Sequence, residues 1–462
     1  MPTLDYGNML EGVLGEGAGL DPSRLDTDLA ERFRAAHADV SARRESGEMG
    51  FFQLPARGDL LGATREAADT FGQWFENVVV IGIGGSSLGT ATLRESLLGA
   101  GWNERDGEAR EHYPRLYVLE NPDPHSFEGL LGRLDLPRTL FNVVSKSGST
   151  AETMAQFMVV WGRVEEALGP DKVHGHFLFT TSPDSGALRK MAIERGIPTL
   201  PVPENVGGRF SVLSPVGLLP AAVTGIDIES LLEGAGEMVD RCATPDLSKN
   251  PAGMLATLLH VADTEMGASI HVLMPYADRL RSFALWFQQL WAESLGKASS
   301  RTGERVEVGP TPLPAVGATD QHSQVQLFME GPRDKVLIFL GVEEGAEAVT
   351  IPDVFPEVGA LSYLSGHSLG GLLEAERRAT TEALRRQGRP SMTIAVDRID
   401  ARAVGALFML FQIATAYAGS LYGINPLDQP GVELGKVLTY GLMGRDGYAT
   451  PEFPPPDPRW RV

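Results

Sequence analysis

Short apolar segments alternate with helical segments from residue 77 onward, and this alternation constrains the fold more than any other feature. Parallel strands need long crossovers, so strands separated by helix-length segments predict a parallel α/β sheet. The predicted strands of the first set are Asn77–Ile83, Arg115–Glu120, Leu140–Val144, His176–Thr181 and Pro198–Val202, with helices near 87–100, 126–134, 149–168 and 184–195.

A second set of the same kind follows in the other half of the chain. Its predicted strands and helices are Ser269–Met274, Lys335–Leu340, Met392–Val396, and 281–295, 368–386 and 401–421. Residues 21–75, before the first set, have the pattern of polar and amphipathic helix. A chain of 462 residues is long enough for two or three domains. We therefore expect a duplicated α/β architecture.

The charge of the chain limits its partners. A net charge of −20 argues against a general nucleic-acid or membrane surface, because both are polyanions. The single cysteine, Cys242, excludes an intramolecular disulfide and fits a reducing cytosol. The N-terminus lacks the pattern of a signal peptide, and the apolar run 403–417 is interrupted and too short to span a bilayer. We expect a cytoplasmic protein.

The loop after the third predicted strand is rich in hydroxyl groups. Ser145, Lys146, Ser147, Gly148, Ser149 and Thr150 lead into a helix, and Ser149 and Glu152 have the spacing of a capping box. Unpaired N–H groups and the helix dipole at such a helix start attract anions. Serines at a helix start usually serve only as caps. Five hydroxyl residues in nine exceed what capping needs, so we predict a phosphate site.

A glycine-rich loop follows the first predicted strand, with the sequence GIGGSSLG from Gly82 to Gly89. Glycines let a backbone approach a ligand closely. A dinucleotide site is the rival interpretation, because Glu120 ends the next strand where a ribose-binding acid often lies. That fingerprint needs a glycine at position 87, where the chain has Ser87. The serine-rich loop after a neighbouring strand favours a sugar phosphate.

The helix predicted at 281–295 has a candidate general base. Glu293 continues the apolar face of this helix, and Gln289 lies one turn before it, so we expect the carboxylate to point inward. A structural helix-end glutamate is the simpler alternative. Arg209, in GGRFS, is either a cation for developing negative charge or a structural clamp, and His322 and Lys436 can equally be ordinary structural residues.

Two further patterns bear on the chemistry. The chain has seven lysines against 33 arginines, and Lys146, Lys297 and Lys436 lie inside the motifs named here, which suggests a need for a compact ammonium group. No HExxH motif or close set of His, Cys and Asp residues indicates a metal site. We expect proton-transfer chemistry without a metal or cofactor.

Six motifs together resemble the glucose-6-phosphate isomerase (phosphoglucose isomerase) family, in its bacterial branch. They occur in the family's order and extend over most of the chain. The motifs are GIGGSSLG (82–89), SKSGSTAET (145–153), GGRFS (207–211), AESLGK (292–297), DQH (320–322) and GINPLDQPGVELGK (423–436). The resemblance implies reversible interconversion of glucose 6-phosphate and fructose 6-phosphate. Leu295 and Pro430 depart from many eukaryotic members and are not proton-transfer residues.

The resemblance also implies a role for each matching residue. Glu293 corresponds to the base that moves a proton between C2 and C1, and Arg209 to the cation that stabilises the cis-enediolate. His322 and Lys436 correspond to residues that open the sugar ring. Gly85 lies where the loop passes close to the sugar. The positions that match phosphate or substrate contacts are Ser86, Ser145, the backbone of Lys146, Ser147, Thr150, Gln289 and Gln429.

For the fold, the resemblance implies two sugar-isomerase (SIS) domains, each a mostly parallel sheet flanked by helices, with extra N- and C-terminal helices. We place the first at 56–225 and the second at 1–55 with 226–462. The family is typically homodimeric, with the histidine supplied by the partner. A non-catalytic sugar-phosphate-binding regulator is the main alternative, but it would not need Glu293, His322 or Lys436. An NAD-dependent oxidoreductase is the third.

Overall fold

The computed structural model describes residues 1–343 and 348–461. The strands in this part of the chain form two five-stranded sheets and one antiparallel pair. Numbered along the chain, they are β1 (Thr3–Asp5), β2 (Asn77–Ile81), β3 (Arg115–Leu119), β4 (Thr139–Val144), β5 (Phe177–Thr181), β6 (Thr199–Pro201), β7 (Ile270–Pro275), β8 (Lys297–Ser299), β9 (Arg305–Val308), β10 (Thr311–Pro314), β11 (Lys335–Val342) and β12 (Ser391–Val396).

Helices connect these strands and cover the sheets. They are α1 (Glu11–Leu14), α2 (Asp28–Glu45), α3 (Gly58–Gly72), α4 (Leu88–Leu93), α5 (Pro124–Leu131), α6 (Ala151–Leu168), α7 (Ala187–Arg195), α8 (Pro215–Val223), α9 (Ile228–Arg241), α10 (Pro251–Thr264), α11 (Arg281–Leu295), α12 (Val325–Glu330), α13 (Gly359–Ser362), α14 (Leu369–Arg386), α15 (Ala401–Leu421) and α16 (Glu433–Leu442).

The first sheet has the strand order β3-β2-β4-β5-β6, and all its strands are parallel. Strands β2, β4 and β5 are buried along their whole length, which is why the sequence has unbroken apolar runs there. The chain leaves β2 toward β3 on one side and returns to β4 on the other. Ligands bind at such a reversal of strand order. The glycine-rich and serine-rich loops follow these two strands.

The second sheet has the order β1-β12-β11-β7-β10, in which β1 alone is antiparallel to its neighbour. The predicted strands of the second half are observed as β7, β11 and β12. The edge strands β1 and β10 and the β8–β9 pair were not predicted. The expected fold class, two mostly parallel sheets flanked by helices, is confirmed, with α1, α2 and α3 before the first parallel strand and α15 and α16 after the last.

Helix α15 forms the centre of the second half. By length and composition it could cross a membrane, so the expectation that this apolar run is too short was wrong. Within the protein, however, 89% of its most apolar window is buried, as in a core helix. It packs against α9 at two glycines, where an added Cβ would lie 1.9 Å from a facing carbonyl oxygen. At Gly234 and Gly405 the two backbones touch.

Candidate active site

The glycine-rich loop lies against the segment that carries Arg209. Residues Gly84–Ser86 form a 3-10 turn directly after β2. A Cβ added at Gly85 would lie 2.2 Å from the carbonyl carbon of Gly208 and 2.5 Å from the nitrogen of Arg209. Only glycine allows this approach of two backbones. Ser86 is half-buried, and in the described part of the chain its hydroxyl has no hydrogen-bond partner.

The hydroxyl groups of the serine-rich loop bond to one another. The Oγ of buried Ser145 lies 3.0 Å from Thr150 Oγ1 and accepts from the backbone N–H of Gly148 at 3.1 Å. The backbone and the hydroxyl of Ser149 both donate to Ser147 Oγ, at 3.3 and 3.2 Å. These bonds close the loop into a compact turn at the switch between β2 and β4.

Helix α6, which follows this loop, begins at Ala151 with Thr150 as its N-cap. Among the described residues, no side chain caps its first N–H groups. The expected capping box of Ser149 and Glu152 is therefore wrong. Some helices have a side-chain cap, for example α5 by Asp123 and α14 by Ser368, while others such as α2, α3 and α7 lack one, as α6 does. The start of α6 therefore keeps free donors for an anion.

The Lys146 side chain links the serine-rich loop to the Arg209 segment. Its Nζ donates to the carbonyls of Glu204 at 2.5 Å and Val206 at 3.0 Å. Burial lowers its pKa, and the nearby Glu204 opposes this shift. The ammonium group is committed to these carbonyls, so the backbone of Lys146 is the part available to a phosphate.

Arg209 is 3% exposed and is the centre of the site. Its guanidinium donates to Ser294 Oγ at 2.7 Å, to Gln429 Oε1 at 2.9 Å, and to the carbonyls of Pro426 at 2.6 Å and Asp428 at 3.0 Å. Burial lowers its pKa to about 10, while two nearby carboxylates raise it. Arg209 therefore remains cationic at neutral pH and joins the end of α11 to the 425–429 loop.

Glu293 faces this cation from α11. One carboxylate oxygen lies 3.7 Å from Arg209 Nη1, and the other accepts from Gln289 Nε2 at 3.4 Å. The Glu293 side chain is 35% exposed. The carboxylate thus faces the buried Arg209, but it is less enclosed than the expected inward position implied, since its surroundings are polar and partly open to solvent. Gln289 also borders the glycine-rich loop, because a Cβ at Gly84 would lie 2.8 Å from its Nε2.

Three polar residues behind the site were not selected from the sequence as site residues. Lys297 Nζ donates to the carbonyls of Glu293 at 2.6 Å and Ser294 at 2.9 Å, and lies 3.8 Å from Asp428 Oδ1. Asp428 Oδ2 accepts from Asn425 Nδ2 at 3.0 Å. All three lie inside the quoted motifs, and Lys297 is one of only seven lysines. The scarcity of lysine in the chain was the sequence feature that could have identified Lys297.

His322 lies away from this cluster. It ends the 3-10 turn Thr319–His322, is not buried, and has no hydrogen-bond partner among the described residues. The turn itself is held by the backbone N–H of Val316, which donates to Asp320 Oδ2 at 2.7 Å, and by Gln321, which donates to Tyr276 Oη at 2.6 Å. The imidazole is therefore open to solvent on a well-supported turn.

Strand β10 separates the histidine turn from the end of α11. Before the strand, a Cβ at Gly309 would lie 2.6 Å from the Cα of Gly296, which follows α11. Beyond the strand, the N–H of Gly317 donates to the carbonyl of Pro275 at the end of β7. Helix α11 has 15 residues, which span about 22 Å. Within one chain, the glutamate on α11 and the histidine therefore lie at opposite ends of the second sheet.

Lys436 is also outside the Arg209 cluster. It lies on α16, is about half exposed, and its Nζ donates to Glu433 Oε1 at 2.7 Å. Gln429, seven residues earlier, does reach the cluster through Arg209. The structure therefore brings together Gly85, Arg209, Gln289, Glu293 and Gln429, and leaves His322 and Lys436 apart. Among residues 1–343 and 348–461, no group of three His, Cys, Asp or Glu side chains could hold a metal ion.

Two solved structures share this architecture. A protein of Thermus thermophilus described as hypothetical has a TM-score of 0.83 at 39% identity, over 96% of this chain and all of that one. A glucose-6-phosphate isomerase from Chlamydia trachomatis has a TM-score of 0.79 at 22% identity, over 95% of this chain and 93% of its own. The second likeness shows the fold alone.

Sequence comparison gives the family. The family model described as phosphoglucose isomerase matches residues 62–445. A glucose-6-phosphate isomerase of Carboxydothermus hydrogenoformans is 45% identical over 90% of each chain. Another, of Rubrobacter xylanophilus, is 44% identical over 96% of this chain and 99% of its own. The chain therefore belongs to the phosphoglucose isomerase family of enzymes.

Proposed function

We propose that the chain carries out its family's reaction, the interconversion of glucose 6-phosphate and fructose 6-phosphate, with Glu293 as the proton-transfer base. The observation that carries this assignment is the pairing of an accessible carboxylate with a buried cation 3.7 Å away. A base must reach substrate and also be oriented, and Gln289 supplies the orienting hydrogen bond. The proton is removed from C2 of the open-chain aldose and returned at C1.

Arg209 has the position and charge to stabilise the intermediate. Removing the C2 proton puts negative charge on the C1 oxygen, and a cis-enediolate forms. A preorganised cation costs no reorganisation when that charge develops. With a pKa of about 10, Arg209 keeps its charge through the neutral range, and four hydrogen bonds keep it in place. We assign Gln429, which accepts from the same guanidinium, to orienting a sugar hydroxyl.

The serine-rich loop suits the phosphate of the substrate. We assign phosphate contacts to Ser145, Ser147 and Thr150, to the backbone of Lys146, and to Ser86 across the switch point. The uncapped start of α6 supports this assignment, because its first N–H groups are free to donate to phosphate oxygens. A side chain at Gly85 would collide with the backbone of Gly208 and Arg209, and we assign this glycine to the point where the loop passes close to the sugar.

A second copy of the chain would supply the ring-opening histidine. His322 is open to solvent and lies at the far end of the sheet from Glu293 of its own chain, so it suits a neighbour's site better than its own. Helix α16 supports association, because several of its apolar side chains face outward; these are Leu434, Val437 and Leu442, with Met443 after it. We assign ring opening to His322 of a homodimer, with Lys436 assisting once α16 is covered.

Two further expectations belong with this proposal. We place the domain boundaries near residues 56 and 225, which puts β2–β6 in one domain and β1 with β7–β12 in the other. We also expect the enzyme to work in the cytoplasm, where its phosphorylated substrates occur.

Turnover of fructose 6-phosphate in a coupled assay tests the function directly. Since proton transfer here uses side chains, activity should survive exhaustive treatment with a chelator. Added Zn²⁺ or Mn²⁺ should not raise it. Loss of all activity in EDTA, with recovery on adding either metal, would contradict the proton-transfer assignment.

A further inference from the structure

Lys297 joins the end of α11 to the 425–429 loop behind the proposed active site. None of the residue roles assigned above involves it. Its side chain is 5% exposed and turns back along the helix it follows. The ammonium group has three N–H donors. They face the carbonyls of Glu293 and Ser294 and one carboxylate oxygen of Asp428. One compact group thus holds the main chain at the proposed base and the loop that carries Gln429.

The two carbonyls matter because the side chains of the same two residues, Glu293 and Ser294, contact Arg209. Ser294 Oγ accepts from Arg209 Nε at 2.7 Å, and the Glu293 carboxylate lies 3.7 Å from Arg209 Nη1. A shift of the main chain at 293 and 294 would therefore move the base relative to the cation. We propose that Lys297 is a positioning residue, whose ammonium group sets the placement of Glu293 and Asp428 around Arg209. The inference rests on the proposed function, since it assigns Lys297 to that same site.

Asp428, the acidic partner of Lys297, is held in place by a series of polar contacts that extends to α2. Asp428 accepts from Asn425 at 3.0 Å, and Asn425 accepts from Arg43 Nη2 at 2.8 Å. Arg43 is in turn paired with Glu48 through two bonds of 2.9 and 2.7 Å. The 425–429 loop is thus held between α2 and α11. Lys297 is the member of this network that reaches the helix bearing the base.

Lys297 also completes the end of α11. Gly296 has φ −71° and ψ 98°, outside the left-handed region that the usual glycine cap requires, so the lysine ammonium takes the carbonyls of Glu293 and Ser294 itself. The cost of burial is visible in the lysine itself, because desolvation lowers its pKa to about 8, and Arg209 adds repulsion. Asp428 and Glu293 oppose this shift. In a chain that otherwise prefers arginine, the compact ammonium group places a positive charge beside Arg209 in less space than a guanidinium would take.

The test compares Lys297→Met and Lys297→Arg with the wild-type enzyme. The matched control is Lys335→Met, which removes another buried lysine of the second half, one paired with Asp334 and not connected to the Arg209 cluster. The measurements are kcat and KM for fructose 6-phosphate from about pH 6.5 to about pH 9.5, with melting temperatures recorded for every variant.

We expect Lys297→Met to lower kcat by about 10- to 100-fold, the loss typical of a catalytic group displaced by about 1 Å. KM should change little, because the phosphate loop is untouched. Wild-type kcat should decline above about pH 8, where Lys297 loses its proton. Lys297→Arg should recover part of kcat and move that decline to higher pH. The Lys335→Met variant should keep the wild-type profile whatever its stability.

Wild-type kcat and an unchanged alkaline decline in Lys297→Met would overturn the inference. If that variant does not fold, Lys297→Arg decides, because a decline still near pH 8 in its profile would exclude Lys297 as the titrating group. The wild-type assay separates this outcome from failure of the proposed function. An active wild type, an inactive Glu293→Gln and a normal Lys297→Met would remove the positioning role and leave the reaction assigned.

Discussion

The Glu293 carboxylate has neighbours suited to a group that must accept a proton and then release it. Gln289 donates to one oxygen, and the Arg209 cation lies 3.7 Å from the other without a hydrogen bond between them. A bidentate pair would hold the carboxylate in its ionised form and away from substrate. The longer contact leaves one oxygen free to approach C1 and C2. This arrangement would orient a base and keep it accessible, as the proposed role of Glu293 requires.

Replacing Glu293 with glutamine tests this arrangement. The variant keeps the side-chain shape and its hydrogen bonds but removes the base. We expect kcat to fall by at least about 10²- to 10⁴-fold, the contribution of a positioned general base, while sugar-phosphate binding persists. The measurements are steady-state kinetics and substrate binding by calorimetry. Substrate deuterated at C2 should exchange part of its label with solvent in the wild type, and complete retention would indicate a hydride shift.

The chain offers a matched control for that variant. Glu166 lies two residues before the end of α6, as Glu293 lies two before the end of α11, and it is exposed. Glu166→Gln should therefore leave kcat and melting temperature near wild type. If Glu293→Gln behaves in the same way, with a small loss of stability and normal turnover, Glu293 is only a structural helix-end residue.

The serine-rich loop gives a second prediction at the scale of single residues. Removing both hydroxyls with Ser145→Ala and Thr150→Ala should weaken the phosphate site, because hydrogen bonds to charged groups contribute roughly 1.5–3 kcal/mol each. We expect KM for fructose 6-phosphate to rise about 10-fold or more for each hydroxyl removed. The melting temperature should change little, because the Gly148 N–H that donates to Ser145 Oγ also donates to the Ser145 carbonyl.

The cap of α5 provides the contrast for this double variant. Asp123 accepts from the backbone N–H of Ser126 at 2.8 Å in the same half of the chain. Asp123→Ala should cost about 1 kcal/mol of stability, the usual value for an N-cap, and leave KM unchanged. A double variant that loses stability and keeps the wild-type KM, as expected for Asp123→Ala, would show that these two hydroxyls serve only the structure of the loop before α6.

Secondary structure elements buried on both faces were the most predictable part of the fold. Strands β2, β4 and β5 lie within two residues of their predicted bounds, because an unbroken apolar run flanked by glycine and polar residues is typical of a fully buried strand. Strand β10 was missed for a physical reason. It contains Pro312 and Pro314, which cannot donate to a neighbouring strand and are tolerated here because β10 is an edge strand.

Contacts between distant elements were the part that sequence patterns could not supply. The motifs identified Arg209 and Glu293, but not that Arg209 joins the 425–429 loop to the end of α11 or that Lys297 and Asn425 support this loop. The start of α6 shows the same limit. The spacing of Ser149 and Glu152 satisfied a capping rule, yet the serine bonds within the loop. Local rules of this kind tend to fail at functional sites, where a turn is shaped around a ligand rather than around its helix.

The 292–299 segment, from the end of α11 into β8, gives a prediction about stability and pH. The pKa of Lys297 is lower in the folded protein, about 8, than the ordinary value of 10.5. Below pH 8 both states hold the proton, and burial of the charge destabilises the fold. Between these values the folded state releases its proton first, so stability rises with pH relative to a chain without this lysine. The melting temperature of the wild type, relative to that of Lys297→Met, should therefore rise as the pH increases above 8.

Stability and activity should change in opposite directions as the pH rises above 8. The relative stability of the wild type should rise because Lys297 loses its buried charge, whereas turnover should fall. Lys335→Met, measured alongside, controls for general alkaline unfolding. A wild-type melting temperature that drops relative to Lys297→Met between about pH 8 and 10 would show that the ammonium group stabilises the folded state instead.

At the scale of the whole molecule, the single chain leaves apolar surface exposed, and His322, one of the two proposed ring-opening residues, has no hydrogen-bond partner in the part of the chain that the structure describes. Leu434 is 69% exposed on α16, and the segment 354–369 exposes a second group of apolar side chains: Val354, Phe355, Leu361, Tyr363 and Leu369. Patches of this kind mark interfaces between proteins. Since symmetric dimers use the same surface twice, one association would cover the patches of both chains.

Mixing two inactive variants tests whether each site is shared between chains. In a dimer that combines Glu293→Gln with His322→Ala, one site has both substitutions, and the other has the native glutamate and the native histidine. Random pairing makes half of the dimers mixed, so about a quarter of wild-type activity should return when the variants are co-expressed or refolded together. Each variant alone should remain nearly inactive.

A mixture of Glu293→Gln with Lys297→Met should recover nothing beyond the residual activity of the variants, because both residues belong to the same half of the site. If His322 acts in its own chain, every site in the mixture has one substitution, and no activity returns from the first pair either.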